Sequence, residues 1–282
     1  MQRKINWYRT FQALSLDVVI GAIVFSLAIG RYYNVQIPLK VLVCLSIAIW
    51  LIYTFDHILD ARRINHSAST YRHQFHKKYQ NSLIVFSSFL LIIGIINAFY
   101  LPASIFYSGL AAMFFSSVYF WVLQKETLWA KEICVALIYT IGIFLAPVGF
   151  SFDNTHSTQF LLIPQVFLLV LSNLLIFSWF DISKDKKDGH SSTIIHFGIK
   201  KSEAIIKTVL ITGLVVSLIT FLSGFTESVF IMQIIILLMF TVLILIFKYD
   251  SRFRQNDFYR AIGDGIFFIP ILYLVYAEIR QL

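Results

Sequence analysis

The chain has 282 residues, of which 58% are hydrophobic and only 13% charged, against roughly 25% charged in an ordinary soluble domain. That balance excludes a soluble globular enzyme and leaves a protein whose main solvent is lipid. The net charge of +8 would suggest a nucleic-acid partner in a soluble domain, but here no nucleic-acid role follows, because the basic residues fall along one membrane face.

A membrane-spanning helix needs about 20 mostly apolar residues. Nine stretches qualify, near 12–31, 38–57, 82–101, 103–123, 133–151, 160–180, 205–225, 229–247 and 261–279. A closed β-barrel would instead show short alternating segments. The expectation is therefore an all-α polytopic bundle of nine transmembrane helices, a single domain over 1–282. Anionic lipid headgroups are the default partners of its basic face.

The first stretch follows Arg3, Lys4 and Arg9 and has no small-residue cleavage site after Leu14, so it reads as a retained span. It carries Asp17 near its start. The second ends in "IYTFDHILDARR", Ile52 to Arg63, where Asp56 and Asp60 are followed at once by Arg62 and Arg63. A polar stretch near 58–80, holding Arg72, leads to the third and fourth. Between the fourth and fifth lies "YFWVLQKETLWAKE", Tyr119 to Glu132, with Lys125 and Lys131. The sixth ends in a second acidic cluster, Asp181, Asp185 and Asp188, with Lys184 inside it, and opens a polar stretch near 181–204. The ninth carries Asp264 in "AIGDGIF". Cys44 and Cys134 fall inside spans, where cysteine behaves as a small hydrophobe.

Orientation follows from the connections. With the N-terminus cytoplasmic, 20 of the 23 Lys and Arg lie on that side, leaving only Arg31, Lys40 and Arg280 opposite. Lys/Arg bias sets topology, so the expected protein is integral to the membrane, in a bacterium the inner membrane. Both acidic clusters then lie on the cytoplasmic side.

Residues four apart share a helix face, so Asp56 with Asp60, and Asp181 with Asp185, each form a two-carboxylate patch. Anions at a helix C-terminus oppose the macrodipole by a few tenths of a kcal/mol, and like charges four apart repel by a similar amount. Two sites that accept both costs on one membrane face point to a cation between them. Carboxylates without His or Cys partners favour hard ions, and Mg²⁺ commonly bridges one or two carboxylates to substrate phosphates. Six of the seven histidines lie on this face, but their spacings match no structural or hydrolytic zinc motif.

Nine spans with Asp-rich motifs after the second and sixth resemble the UbiA superfamily of intramembrane prenyltransferases. The more specific motif is "DISKDKKDGHSSTIIHFG", where Asp181, Asp185, Gly189, Ser192 and Gly198 fall on the superfamily's spacing. The additional Asp expected three residues before the pair is Ser178. In the first motif Asp56 and Asp60 fit, but the Asn position is Ile52, with Tyr53 the neighbouring hydroxyl, and the usual Arg-Pro that follows is missing. The superfamily's Tyr and Lys between spans four and five correspond to Tyr119 and Lys125, with Lys131 and Glu132 equally placed.

The resemblance implies a Mg²⁺-dependent enzyme that takes an isoprenyl diphosphate and transfers its prenyl group to an aromatic or lipid acceptor. The four aspartates would hold metal, with Lys125 and Lys131 catalytic. Arg62, Arg63, Arg72, Lys184 and Tyr119 would bind diphosphate, leaving Asp17, Asp188 and Asp264 as secondary candidates. Ionising the allylic C–O bond needs cations on the leaving group, and aromatic faces can stabilise a carbocation by about 0.5–2 kcal/mol each. Trp50, Tyr53, Phe177 and Phe180 lie just before the acid pairs, and Asn173 shares a stripe with Asp181, so these five are the candidate prenyl tunnel. Competing functions are a membrane terpene cyclase, a non-catalytic member and a transporter. Edge-placed acids and the lack of an inverted repeat oppose the transporter. A CDP-alcohol phosphotransferase lacks its signature here, since Asp188-Gly189 is followed by His and Ser.

Overall fold

The computed structural model describes residues 7–64, 66, 68–119, 130–151, 157–189, 191–223 and 226–280. Among these the structure is helical throughout, with no strand. The helices are α1 Trp7–Ala13, α2 Leu16–Tyr32, α3 Leu39–Arg63, α4 Tyr71–Ala98, α5 Ala103–Val118, α6 Lys131–Ser151, α7 Leu162–Asp188 and α8 Thr193–Phe197. They continue with α9 Ile199–Leu222, α10 Glu227–Lys248, α11 Asp250–Phe253, α12 Phe258–Gly265 and α13 Ile271–Ile279.

Seven helical segments are long and apolar enough to cross a membrane, and α1 with α2 makes an eighth if that pair, bent by 67°, is one span. The fourth expected span, 103–123, corresponds to α5, which is apolar but only 16 residues long among the described residues. The expected polar stretches are also shorter than the sequence suggests. Helix α3 runs on to Arg63 and α4 starts at Tyr71, so Asp56 and Asp60 are helical and only a short turn separates the two. Likewise α7 carries its helix through Asp188. At 1.5 Å per residue, 25 and 27 residues make α3 and α7 about 38 and 40 Å long, longer than the ~30 Å hydrocarbon core. Their last turns therefore extend into the polar interface, and those are the turns with the acids.

Local chemistry explains where each motif helix stops. Gly189 takes φ 74°, the left-handed conformation that closes α7, which a residue without Cβ adopts freely. Ser192 then caps α8, its hydroxyl accepting from the Ile195 N–H. Gly198, again at positive φ (78°), joins α8 to α9. The Gly-hydroxyl-Gly spacing that carries the resemblance is thus helix punctuation.

One apolar cluster, with Phe25, Ile29, Leu169, Ile176, Met232, Met239 and Phe240 at its heart, joins α2, α7 and α10. Between spanning helices the drive is close packing and polar contact rather than hydrophobic transfer, so small residues matter at crossings. Gly21 of α2 lies so near Phe267 that an added Cβ would be 2.9 Å from the Phe267 Cβ. At Gly263 of α12 the corresponding atom would be 2.6 Å from Asn173 Oδ1 and from the Phe177 ring. These two glycines seat α12, and the 3-10 turn Ile266–Phe268 after it, against α2 and α7.

Candidate functional site

The first acid pair points inward from the last two turns of α3. Asp60 is buried and Asp56 half-buried. Lys131, the first residue of α6, bridges them, its Nζ 2.8 Å from Asp60 Oδ2 and 3.3 Å from Asp56 Oδ2. Tyr119, 4% exposed, lies within electrostatic reach of the same three groups. Lys125 lies outside the described residues. Arg62 and Arg63 turn to the exterior and are exposed, away from the buried Asp60 face.

The second pair is held differently. Asp181 is 3% exposed and accepts from Tyr259 Oη at 2.6 Å. Arg260 Nη2 pairs with its other oxygen, and Lys184 Nζ lies 3.0 Å from Asp181 Oδ1 and 3.0 Å from Asp257 Oδ1. Phe180 stacks flat on Tyr259, centroids 4.4 Å apart and planes 5° from parallel. The Arg254 guanidinium lies 4.9 Å from the Phe180 centroid and donates to the Phe180 carbonyl at 2.8 Å. Asp185, one turn on and half-buried, lies within electrostatic reach of Asp181, Arg260, Lys131 and Glu132. Lys131 therefore sits near carboxylates of both motifs, and the two pairs border one site.

The position of the missing motif aspartate has a clear structural use. Ser178 donates to Glu132 Oε1 at 2.7 Å, and the same carboxylate takes the Thr193 N–H at 3.1 Å and the Thr193 hydroxyl at 2.8 Å. Glu132 is 6% exposed, and these charge-assisted bonds tie α6, α7 and α8 together. Asp188 is spent in a comparable way. It accepts from the Ser69 N–H at 3.0 Å and the Ser69 hydroxyl at 2.7 Å, with His73 Nδ1 3.7 Å away, and so pins the turn between α3 and α4 to the end of α7.

Arg72 comes inward from the first turn of α4 and donates to His57 Nε2 at 3.2 Å. It lies within electrostatic reach of Asp17, Asp181, Asp264 and Arg260. Asp17 is the second residue of α2, whose N-cap Ser15 has a φ of 54°, and Asp17 Oδ1 accepts the Val18 N–H at 2.9 Å. A carboxylate in the first turn is favoured by the helix dipole. Of the proposed tunnel residues, Trp50 is packed edge-on against Phe86 at 5.3 Å and Phe180 is fully occupied by Tyr259 and Arg254. Tyr53 and Phe177 remain half-buried, and Phe177 has the Arg260 guanidinium 5.3 Å from its centroid. Asn173 is buried against Gly263 and lies near Asp264.

Tyr259 and Arg260 did not stand out from sequence, where Arg260 counted only toward orientation. Its spacing held the clue: Arg260 and Asp264 are four apart and face the same way.

Among the described residues no three His, Cys, Asp or Glu converge on one point as a ready metal cage. The donor set instead fits an ion held by two carboxylates whose remaining ligands come from water and phosphate, which is how Mg²⁺ is usually bound. Lys131, Lys184 and Arg260 meanwhile offset the negative charge of the acid pairs.

No protein-family model matches the chain, and no curated protein matches it in sequence. Solved structures do. A UbiA homologue from Archaeoglobus fulgidus superimposes with a TM-score of 0.69 at 15% identity, over 95% of this chain and 98% of the homologue. The same homologue bound to GPP and Mg²⁺ gives 0.71 at 15%, over 95% and 97%. A UbiA homologue from Aeropyrum pernix K1 gives 0.69 at 13%, over 92% and 98%. The chain has the UbiA-superfamily fold, reached with very little shared sequence.

Proposed function

We propose that this protein is an intramembrane prenyltransferase that moves the isoprenyl group of an isoprenyl diphosphate onto an acceptor at the membrane interface, with Mg²⁺ as its cofactor. The observation that carries this is the placing of two carboxylate pairs, Asp56/Asp60 and Asp181/Asp185, at one end of the helical bundle, each with its own cations and with Lys131 of the first pair within electrostatic reach of Asp185. The fold shared with the GPP- and Mg²⁺-bound homologue supports it. The Lys/Arg bias puts this end on the cytoplasmic side.

In this reading Asp56, Asp60, Asp181 and Asp185 hold the metal, and Mg²⁺ supplies charge stabilisation of the departing diphosphate. Lys131, Lys184 and Arg260 would bind the phosphate oxygens, where fixed cations stabilise the charge that develops as the C–O bond opens. Arg72 supports the same head from α4. Tyr53 and Phe177 present ring faces where the allylic carbon becomes positive.

The test is diphosphate release by purified protein in lipid, given Mg²⁺ and isoprenyl diphosphates of graded length, beside Asp185→Ala. Release by the parent that needs Mg²⁺ and falls at least 100-fold in the variant, with a prenylated product once membrane extract is added, is the expected result. A terpene hydrocarbon or alcohol as sole product assigns the chemistry to a cyclase instead. Equal release by parent and variant, or none from either, overturns the catalytic clamp.

A further inference from the structure

Behind the acid pairs lies a second polar constellation that the clamp does not use. Asp17 of α2 and Asp264 of α12 are 6% and 8% exposed. The glycine contacts hold them near each other: Gly21, one turn after Asp17, abuts Phe267, three residues after Asp264. Each carboxylate lies within electrostatic reach of the other and of both Arg72 and Arg260. Neither guanidinium forms an ion pair with them among the described residues, since Arg72 donates to His57 and Arg260 holds Asp181 and Tyr259. Asp17 takes one backbone N–H, and Asp264 lies near the Asn173 amide, so both keep acceptor capacity.

A separate observation points to a ligand. Tyr139 of α6 is 5% exposed, and its hydroxyl has no hydrogen-bond partner in the protein. Its ring packs on Phe267 at 5.5 Å, and the hydroxyl lies within electrostatic reach of Tyr53, Asp264 and Asp17. A buried phenol left without a partner is destabilising, and a bound polar group would relieve that.

We infer that Asp17 and Asp264, with Tyr139, form an acceptor subsite that takes a head group bearing two hydroxyls and no negative charge of its own. Each carboxylate takes one hydroxyl, and Tyr139 completes the set. An anionic acceptor finds no direct counterion there, because Arg72 is held on His57 and Arg260 on Asp181 and Tyr259, and that misfit sets specificity. This inference rests on the prenyltransferase reading for its chemistry. The allylic C–O bond breaks and its electron pair leaves with diphosphate. An acceptor oxygen forms the new C–O bond, and its proton passes to a carboxylate oxygen of Asp17 or Asp264.

The diol can be aromatic or lipid, and binding to the full chain in lipid nanodiscs separates the two. The probes are hydroquinone and monoacylglycerol, each beside its anionic counterpart, 4-hydroxybenzoate and lysophosphatidate. At least one neutral diol is expected to bind the parent, with its counterpart at least 10-fold weaker. Asp17→Asn with Asp264→Asn, and separately Tyr139→Phe, are expected to weaken the diol at least 10-fold while Mg²⁺-dependent geranyl diphosphate binding stays within about twofold. Tyr139→Phe keeps the test alive if the double variant does not fold. Binding of neither diol, equal binding of the anionic counterparts, or unchanged diol binding in folded variants overturns the subsite. Loss of geranyl diphosphate binding in the Asn variants assigns the pair to the clamp instead. Absence of geranyl diphosphate binding in the parent removes the prenyltransferase reading, and the diol arm still decides the subsite.

Discussion

Lys131 shows how single side chains settle the state of the site. Its ammonium spans Asp56 and Asp60, so without metal it is the counterion of the first acid pair. Its side chain is 32% exposed, which softens the energetics relative to a fully buried pair. Lys131→Met is expected to lower stability by about 1–3 kcal/mol in the absence of metal, because two neighbouring carboxylates lose their shared cation. The same change enlarges the rise in Tm that Mg²⁺ produces, since the ion then relieves a repulsion Lys131 had already offset. Thermal unfolding in lipid with and without Mg²⁺ measures both. A Tm lowered equally in the two conditions would mean that Lys131 is only a helix-start contact. Sequence alone brought Lys131 into consideration beside Lys125, but could not show that it faces Asp56 and Asp60, because the pairing joins residues more than seventy positions apart.

At the scale of elements, α12 does more than its eight residues suggest. It presents Tyr259 and Arg260 to Asp181 at its start and Asp264 to the interior near its end. Its seat depends on Gly263, which has no room for a side chain, whereas at Gly265 a Cβ would meet nothing within 4 Å. Gly263→Ala should therefore cost about 1–3 kcal/mol through overpacking against Asn173 and Phe177 and should lower isoprenyl diphosphate binding as Arg260 shifts. Gly265→Ala, at a helical φ of −62°, should be neutral or stabilising by about 0.5–1 kcal/mol. Thermal unfolding of the two variants side by side, with geranyl diphosphate titrations, checks the contrast; equal effects would sink the account of α12. The motif helix α7 is the complementary case. Its end at Gly189 and the restart at Ser192 are legible in sequence, because caps and left-handed glycines act within a few residues.

For the whole molecule, orientation rests on charge statistics. If the nine expected spans set the topology, 20 of the 23 Lys and Arg fall on the side of the acid pairs, and that end is expected to face the cytoplasm. A cysteine placed at Ser191, in the chain between α7 and α8, should react with a membrane-impermeant maleimide in inverted vesicles and stay unlabelled in intact cells, in a background where Cys44 and Cys134 are Ser. Labelling only in intact cells would reverse the topology and put the site on the outer side. At the opposite end Arg31 meets Glu278, and Asn97 reaches the Lys40 carbonyl at 2.6 Å, so that end has its own polar ties.

Composition, run lengths and local spacing determined from sequence that the chain is a helical membrane protein and that two carboxylate pairs each share a helix face. Each of those follows from interactions within a turn or two, or from the match of an apolar run to bilayer thickness. Tertiary structure alone decided which cations answer which acids. It turned Arg62 and Arg63 outward, brought Arg260 from the far end of the chain onto Asp181, used Asp188 and Glu132 as ties, and set Asp17 beside Asp264. Those outcomes depend on which helix faces meet, and in lipid that is settled by close packing at small residues such as Gly21 and Gly263. Apolar residues cover nearly every face of these helices, so hydrophobic periodicity carries little information about which face turns inward.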